Sequence, residues 1–200
     1  MEEKNEVQQK EKMSTAKIAA LAALTALVVI LTMLGGIIKF GPFSITLSLC
    51  PIIVGAAIFG PVTGAGLGFV FGLVVLLTGL AEWDGGGVIM MANANMGALI
   101  LVCFLKAIAA GYVAGIVYKK FGIIAASVAC PVTNTGIFIA GMFIFFKDLL
   151  ASWSGGSNLL SYVILSLTGI NFVIELVVNL VLATAVERII VYARKKFAGK

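Results

Sequence analysis

Long apolar runs separated by short polar clusters limit the folds open to this chain more than any other feature. The run from Thr15 to Ile38 holds one charge, Lys17, and the runs Val62 to Leu80 and Ile123 to Phe146 hold none. Hydrophobic residues make up 61% of the chain and charged residues 12%. Soluble domains carry about 25% charged residues. With a mean hydropathy of +1.13, a water-soluble fold of this size could not bury so much apolar side chain. Lipid can act as its solvent, and helices satisfy their own backbone groups there. Six spans of about 20 residues use roughly 120 residues. What is left makes short loops and two tails, with no room for a soluble catalytic domain.

The expectation is therefore an all-α integral membrane protein with six transmembrane helices. Residues 1–14 form a cytoplasmic polar tail, 15–193 the membrane domain and 194–200 a basic cytoplasmic tail. The first apolar run is too long for a signal-peptide core and lacks a clear cleavage site, so it stays as helix one, Thr15 to Ile38. A Gly/Pro/Ser/Thr loop, Lys39 to Ser48, precedes a short second helix, Leu49 to Phe59. Gly60-Pro61 turns the chain into helix three, Val62 to Leu80. The polar loop Glu82-Trp83-Asp84-Gly85-Gly86-Gly87 follows. Helix four lies between Val88 and Tyr118, regular only after Asn95, and is closed by Lys119-Lys120. Helix five runs from Ile123 to Phe146, Lys147 to Asn158 reads as a loop, and helix six runs from Leu159 to Ile190.

The net charge of +5 marks a membrane face rather than a nucleic-acid surface. Lys4, Lys10, Lys12 and Lys17 lie at one end, Lys119 and Lys120 between helices four and five, and Arg188, Arg194, Lys195, Lys196 and Lys200 at the other end. An even number of spans puts all three groups on one side, the cytoplasm, with both termini. Cys50, Cys103 and Cys130 sit in apolar stretches without metal-type spacing, and read as small core residues.

Small residues form two kinds of ridge. Gly60, Gly64, Gly68 and Gly72 recur every four residues on helix three, and Ala107, Gly111 and Gly115 do so on helix four. Such spacing lets helix backbones approach closely; internal packing is the expected use. On helix one, the pairs Ala19/Ala23 and Ala22/Ala26 cover a broad face that could meet another protein.

Charge inside the bilayer costs at least about 2.5 kcal/mol per group on insertion scales. Lys106 lies 13 residues before Lys119, and Glu175 lies 13 before Arg188. Both then sit roughly 20 Å above the basic boundary, at matched depth and of opposite sign, and are expected to pair or to share a polar network. Asn171, Glu175 and Asn179 share a helix face, and Asn134 comes in from helix five at similar depth. Helices four to six thus converge on a polar centre, either a clamp that holds the bundle or the floor of a ligand pocket. Towards the outer side, Asn93 and Asn95 flank the start of helix four. Trp83 and Trp153 occupy outer loops, as interfacial anchors or as an aromatic lid.

Catalytic and nucleotide-binding signatures are missing. The chain has no His, no P-loop, no paired carboxylates, no Ser/His arrangement and no metal cluster. It reads as no enzyme, with no metal and no cofactor.

Several stretches, in order, resemble the S components of energy-coupling factor (ECF) transporters, nearest to the riboflavin- and pantothenate-type group. They are Lys17-Ile18-Ala19-Ala20-Leu21-Ala22-Ala23-Leu24, Pro51-Ile52-Ile53-Val54-Gly55-Ala56 running into Phe59-Gly60-Pro61-Val62-Thr63-Gly64-Ala65, Leu105-Lys106-Ala107, Pro131-Val132-Thr133-Asn134-Thr135-Gly136, and Asn171-Phe172-Val173-Ile174-Glu175-Leu176 with Asn179. Related sequences often carry Asn-Pro where this chain has Asn95-Met96, so a differently built helix start is expected there.

The resemblance implies a multi-pass binding subunit in the cell (plasma) membrane. It would capture a vitamin or related micronutrient from outside, dock on a transmembrane coupling protein driven by two cytoplasmic ATPase subunits, and tip in the membrane to release ligand inward. It implies that Ala19, Ala22, Ala23 and Ala26 dock the coupling protein. It also places the ligand in the outer half, where Trp83, Asn93, Asn95, Lys106, Asn134, Trp153, Asn171 and Glu175 are the candidate binding residues. The alternative is a stand-alone secondary transporter with Lys106 and Glu175 as a coupling site. No inverted repeat between the two halves favours it. Riboflavin, pantothenate, folate and a pyrimidine precursor are all open as ligands.

Overall fold

The computed structural model describes the backbone of residues 2–37, 39–40, 43–44, 46–167 and 169–198, and the side chains of 15–37, 46–165, 169, 172–182, 185, 188, 191 and 192. The described chain is helical apart from short turns and one two-residue ladder. Helix α1 is Glu2–Gly35, followed by strands β1, Lys39–Phe40, and β2, Phe43–Ser44, paired antiparallel. Then come α2, Leu49–Phe59; α3, Pro61–Leu80; α4, Gly87–Phe145; α5, Lys147–Ser154; α6, Leu159–Ser161; a π-helical turn, Tyr162–Leu167; and α7, Gly169–Ala198.

Among the described residues, three helices are long and apolar enough to cross a membrane: Thr15–Gly35 within α1, α3, and the 59-residue α4. Helix α2, at 11 residues, is about 16 Å long, short of the ~30 Å hydrocarbon core. It is apolar all round and buried from Leu49 to Ala57 except for half-buried Cys50, and it packs against α1, α3, α4 and α7.

Helix α1 begins at Glu2, not at Thr15 as expected. The preceding residues are mostly Glu, Gln and Lys, good helix formers with no Gly or Pro to stop them, so the polar stretch continues the span as one helix. The long α4 contains the expected punctuation. Asn95 leaves helical geometry at φ −162°, ψ 95°, and Gly122 does so at φ 81°, ψ −171°. Asn95 ends one segment and caps the next, its Oδ1 accepting from Ala98 N at 3.0 Å. Gly122 takes a left-handed φ open to glycine without strain, and there the 96–121 and 123–145 segments fold back on each other.

That hairpin has a definite register. A Cβ on Gly141 would meet Val102 Cγ2 at 2.5 Å, and the Lys106 ammonium sits 5.0 Å from the Phe138 ring centre. Both pairs are nearly symmetric about Gly122. Helix α3 packs antiparallel on the other side of the 96–121 segment. A Cβ on Gly64 would strike the Gly111 carbonyl, and one on Gly111 would strike that of Gly64. A Cβ on Gly68 would strike the carbonyl of Ala107, and one on Gly72 would lie 3.0 Å from that of Cys103. At the far end, a Cβ on Gly115 would meet Pro61 Cα at 2.5 Å. The small-residue ridges of α3 and α4 are thus spent on each other. Without a hydrophobic drive between helices in lipid, this close backbone packing is the main attraction available.

Two expectations fail towards the C-terminal side. The segment after Phe146 is helical (α5), because Leu149, Leu150 and Trp153 recur at helical spacing and pack on a cluster containing Met91, Leu99, Met142 and Phe146. Helix six is not continuous from Leu159: α6 gives way to the π-helical turn before α7. Gly169 stands at its end, where a Cβ would lie 2.6 Å from the Ile164 carbonyl.

Candidate functional site

Lys106 and Asn134 lie on the two arms of the α4 hairpin, and Glu175 lies on α7, which packs against α4. Asn134 is 4% exposed and Glu175 3% exposed. Asn134 Oδ1 and Glu175 Oε1 are buried acceptors with no hydrogen-bond partner. Asn179 Nδ2 donates to the Glu175 backbone carbonyl at 2.8 Å, and the Thr133 hydroxyl donates to that of Ala129 at 2.7 Å.

The direct Lys106–Glu175 ion pair expected from the sequence is not formed: no salt bridge joins these two described side chains, and Lys106 is half-buried against the Phe138 ring. Glu175 lies within through-space electrostatic reach of Lys106 and also of Cys130. Cys130, Asn134 and Phe138 are spaced by four on one face of the 123–145 segment, spanning about 12 Å along its axis. Lys106 therefore sits at the Phe138 end of this face, one turn along from Asn134. Equal depth was inferred by counting from Lys119, but the fold turns at Gly122, and that offset carries Lys106 roughly one helical turn past Asn134.

The remaining candidates are more dispersed. Asn171 lies in α7, and its side chain falls outside the described residues. Asn93 and Asn95 are exposed, with the Asn95 carbonyl oxygen used as a cap. Trp153 is half-buried on the apolar cluster of Met91, Leu99, Met142 and Phe146. Trp83 is 47% exposed and, with Glu82, Ile30, Met33, Leu34, Gly36 and Ile37, lines an open groove of about 560 Å³ where the end of α1 meets the α3–α4 loop. Ala19, Ala22, Ala23 and Ala26 are all exposed along α1, unlike the glycines Gly64, Gly68 and Gly72 of α3, which are buried.

Three supporting residues went unnoticed in the sequence. Phe138 carries the Lys106 ammonium. Asp84, 7% exposed, accepts from Gly86 N at 3.1 Å and Val88 N at 2.9 Å, holding the α3–α4 loop against the start of α4; an Asp two to four residues ahead of an apolar helix is a readable cap. Thr32 shares a buried 2.6 Å hydrogen bond with Ser48, joining the end of α1 to the start of α2. Its partner is 16 residues away, and no local pattern announces it. The three cysteines are free, Cys103 and Cys130 buried and Cys50 half-buried, in keeping with small core residues.

The family model described as "ECF transporter, substrate-specific component" matches residues 16–187. Among curated proteins, the chain is 28% identical over 171 residues to "Pantothenic acid transporter PanT" of Lactococcus lactis subsp. cremoris (strain MG1363), covering 79% of this chain and 84% of that relative. No solved structure gives a significant match.

Proposed function

Because the chain belongs to the family of ECF transporter substrate-specific components, we propose that it is the membrane subunit that captures a vitamin for uptake and passes it to an ATP-driven coupling module. The match over residues 16–187 carries this reading. The exposed alanine face of α1 supports docking through Ala19, Ala22, Ala23 and Ala26 on a transmembrane coupling protein, itself driven by two cytoplasmic ATPase subunits. Small side chains give close contact that can be released, since no polar group locks it.

The chain is a multi-pass protein of the plasma membrane with six spans and both termini inside. The breaks at Asn95 and Gly122 support dividing α4 into the fourth and fifth spans, and the basic groups at Lys119/Lys120 and at the two ends agree with that orientation. The ligand lies between the polar centre of Lys106, Asn134, Asn171 and Glu175 and the outer elements carrying Trp83, Asn93, Asn95 and Trp153. The name of the Lactococcus relative puts pantothenic acid first among the vitamins to try.

The test is uptake into proteoliposomes. The chain reconstituted with a coupling module should import its vitamin only with ATP inside the compartment holding the ATPases. Uptake by the chain alone, driven by a proton gradient, would overturn the proposal in favour of a secondary transporter.

A further inference from the structure

Carboxylates are unevenly spread along this chain. None occurs between Glu11 and Glu82, or between Asp84 and Asp148. Lys17, Lys119 and Lys120 fall in these two acid-free stretches, and the packing gathers them at one end of the bundle. Lys17 Nζ sits 5.8 Å from the centre of the Phe59 ring, at the end of α2. Gly60 and Pro61 turn the chain there into α3, and a Cβ on Gly115 would lie 2.5 Å from Pro61 Cα. Lys119 follows Gly115 by one turn, about 6 Å, and the chain reverses at Gly122. All three lysines are exposed. The described carboxylates are elsewhere. Glu82 and Asp84 follow the opposite end of the 20-residue α3, about 30 Å away. Asp148 follows the opposite end of the 123–145 segment, and Glu175 is buried. Glu11 lies about 9 Å further along α1 than Lys17, and its side chain, like that of Glu187, falls outside the described residues. Lys17 and Lys120 are followed in sequence by Ile18 and Phe121, and Pro61 by Val62. These apolar side chains are 63%, 72% and 79% exposed.

We propose that this end of the bundle is a docking surface for anionic phospholipids, with headgroup phosphates on Lys17, Lys119 and Lys120 and the first acyl carbons on Ile18, Val62 and Phe121. Three exposed cations with no described carboxylate in reach call for an anionic partner. The apolar side chains beside them narrow it further. A soluble phosphate would neutralise the lysines but leave Ile18, Val62 and Phe121 uncovered. A phospholipid presents negative charge and hydrocarbon at adjoining levels, which matches a lysine next to an apolar neighbour. Lysine suits such a site, because its flexible stem lies along hydrocarbon while the ammonium reaches the phosphate level. Basic clusters next to membrane spans attract anionic lipid, and the attraction fades within a Debye length, about 10 Å at 0.1 M salt. A zwitterionic lipid carries no net charge and gains little from it. This surface goes beyond vitamin capture and does not depend on it.

The experiment uses the full chain reconstituted in dioleoylphosphatidylcholine bilayers with trace spin-labelled phosphatidylglycerol or phosphatidylcholine. Electron spin resonance gives the relative association of each lipid with the protein surface. Wild type at low salt should prefer phosphatidylglycerol by about threefold or more. About 1 M salt, where the Debye length falls to about 3 Å, should remove most of that preference. Both measurements need no variant. Lys17→Gln, Lys119→Gln and Lys120→Gln together should abolish most of it with helicity by circular dichroism unchanged, and the single variants should each lose part. Lys147→Gln, an exposed lysine at the opposite end, should leave it intact. Equal association of the two lipids with wild type overturns the assignment, as does a preference that survives the triple variant or falls equally in Lys147→Gln. Displacement of phosphatidylglycerol by soluble glycerol phosphate overturns it in favour of a free-anion site. Equal lipid association, combined with loss of binding to a reconstituted coupling module in the triple variant, overturns it in favour of a protein partner.

Discussion

Gly64→Ala tests the packing that positions the site. The added Cβ would strike the Gly111 carbonyl and approach Ala56 Cβ at 2.6 Å. The first obstacle is backbone, so no rotamer change relieves it, and the two helices must separate. Overpacking of this kind costs about 1–3 kcal/mol. The matched control is Gly66→Ala, two residues along the same helix, where an added Cβ meets nothing within 4 Å. There the change from glycine should gain up to about 1 kcal/mol of helix propensity. The two single-methyl variants should therefore differ by roughly 2–4 kcal/mol, a ratio of about 30 or more in the unfolding equilibrium. Equilibrium unfolding in mixed micelles of rising SDS fraction, followed by circular dichroism, measures the gap. If Gly64→Ala is as stable as Gly66→Ala, the close contact between α3 and the 96–121 segment does not carry the stability assigned to it.

Three further outcomes are expected. Asp84→Ala should lose about 1–2 kcal/mol by uncapping Gly86 N and Val88 N, and Asp84→Asn less, in the same unfolding assay. Thr32→Val strands the buried Ser48 hydroxyl and should cost about 1–3 kcal/mol; adding Ser48→Ala should recover part of it, and no recovery would mean that the hydrogen bond is not what links α1 to α2. Ala19→Leu with Ala23→Leu should abolish ATP-driven uptake while leaving ligand binding unchanged, and a parallel loss of binding would place that face inside the bundle.

Most helix boundaries were legible because lipid removes ambiguity: apolar runs must be helical, and Gly-Pro and Lys-Lys-Phe-Gly interrupt them. The break at Asn95 was readable for the same reason, a capping side chain in the middle of an apolar run. The glycine ridge was legible as a ridge, and its spacing of four on both α3 and the 96–121 segment explains why each finds the other. What escaped was depth. Counting from Lys119 put Lys106 level with Asn134, but the turn is completed three residues later at Gly122. A shift of a few residues along a helix is enough to set the two groups a helical turn apart. Helix α5 was missed because its polar composition outweighed a short apolar stripe, Leu149, Leu150 and Trp153. The π-helical turn had no signal beyond Gly169, one of many glycines in the chain.

The continuity of α1 has a mechanical consequence. From Glu2 to Gly35 it is a single helix, so the stretch before Thr15 is a helical stalk about 20 Å long. A slack tail would hide any change in the angle of the span beneath it. A stalk amplifies it: tilting α1 by about 30° would carry its tip roughly 10 Å sideways, given that length.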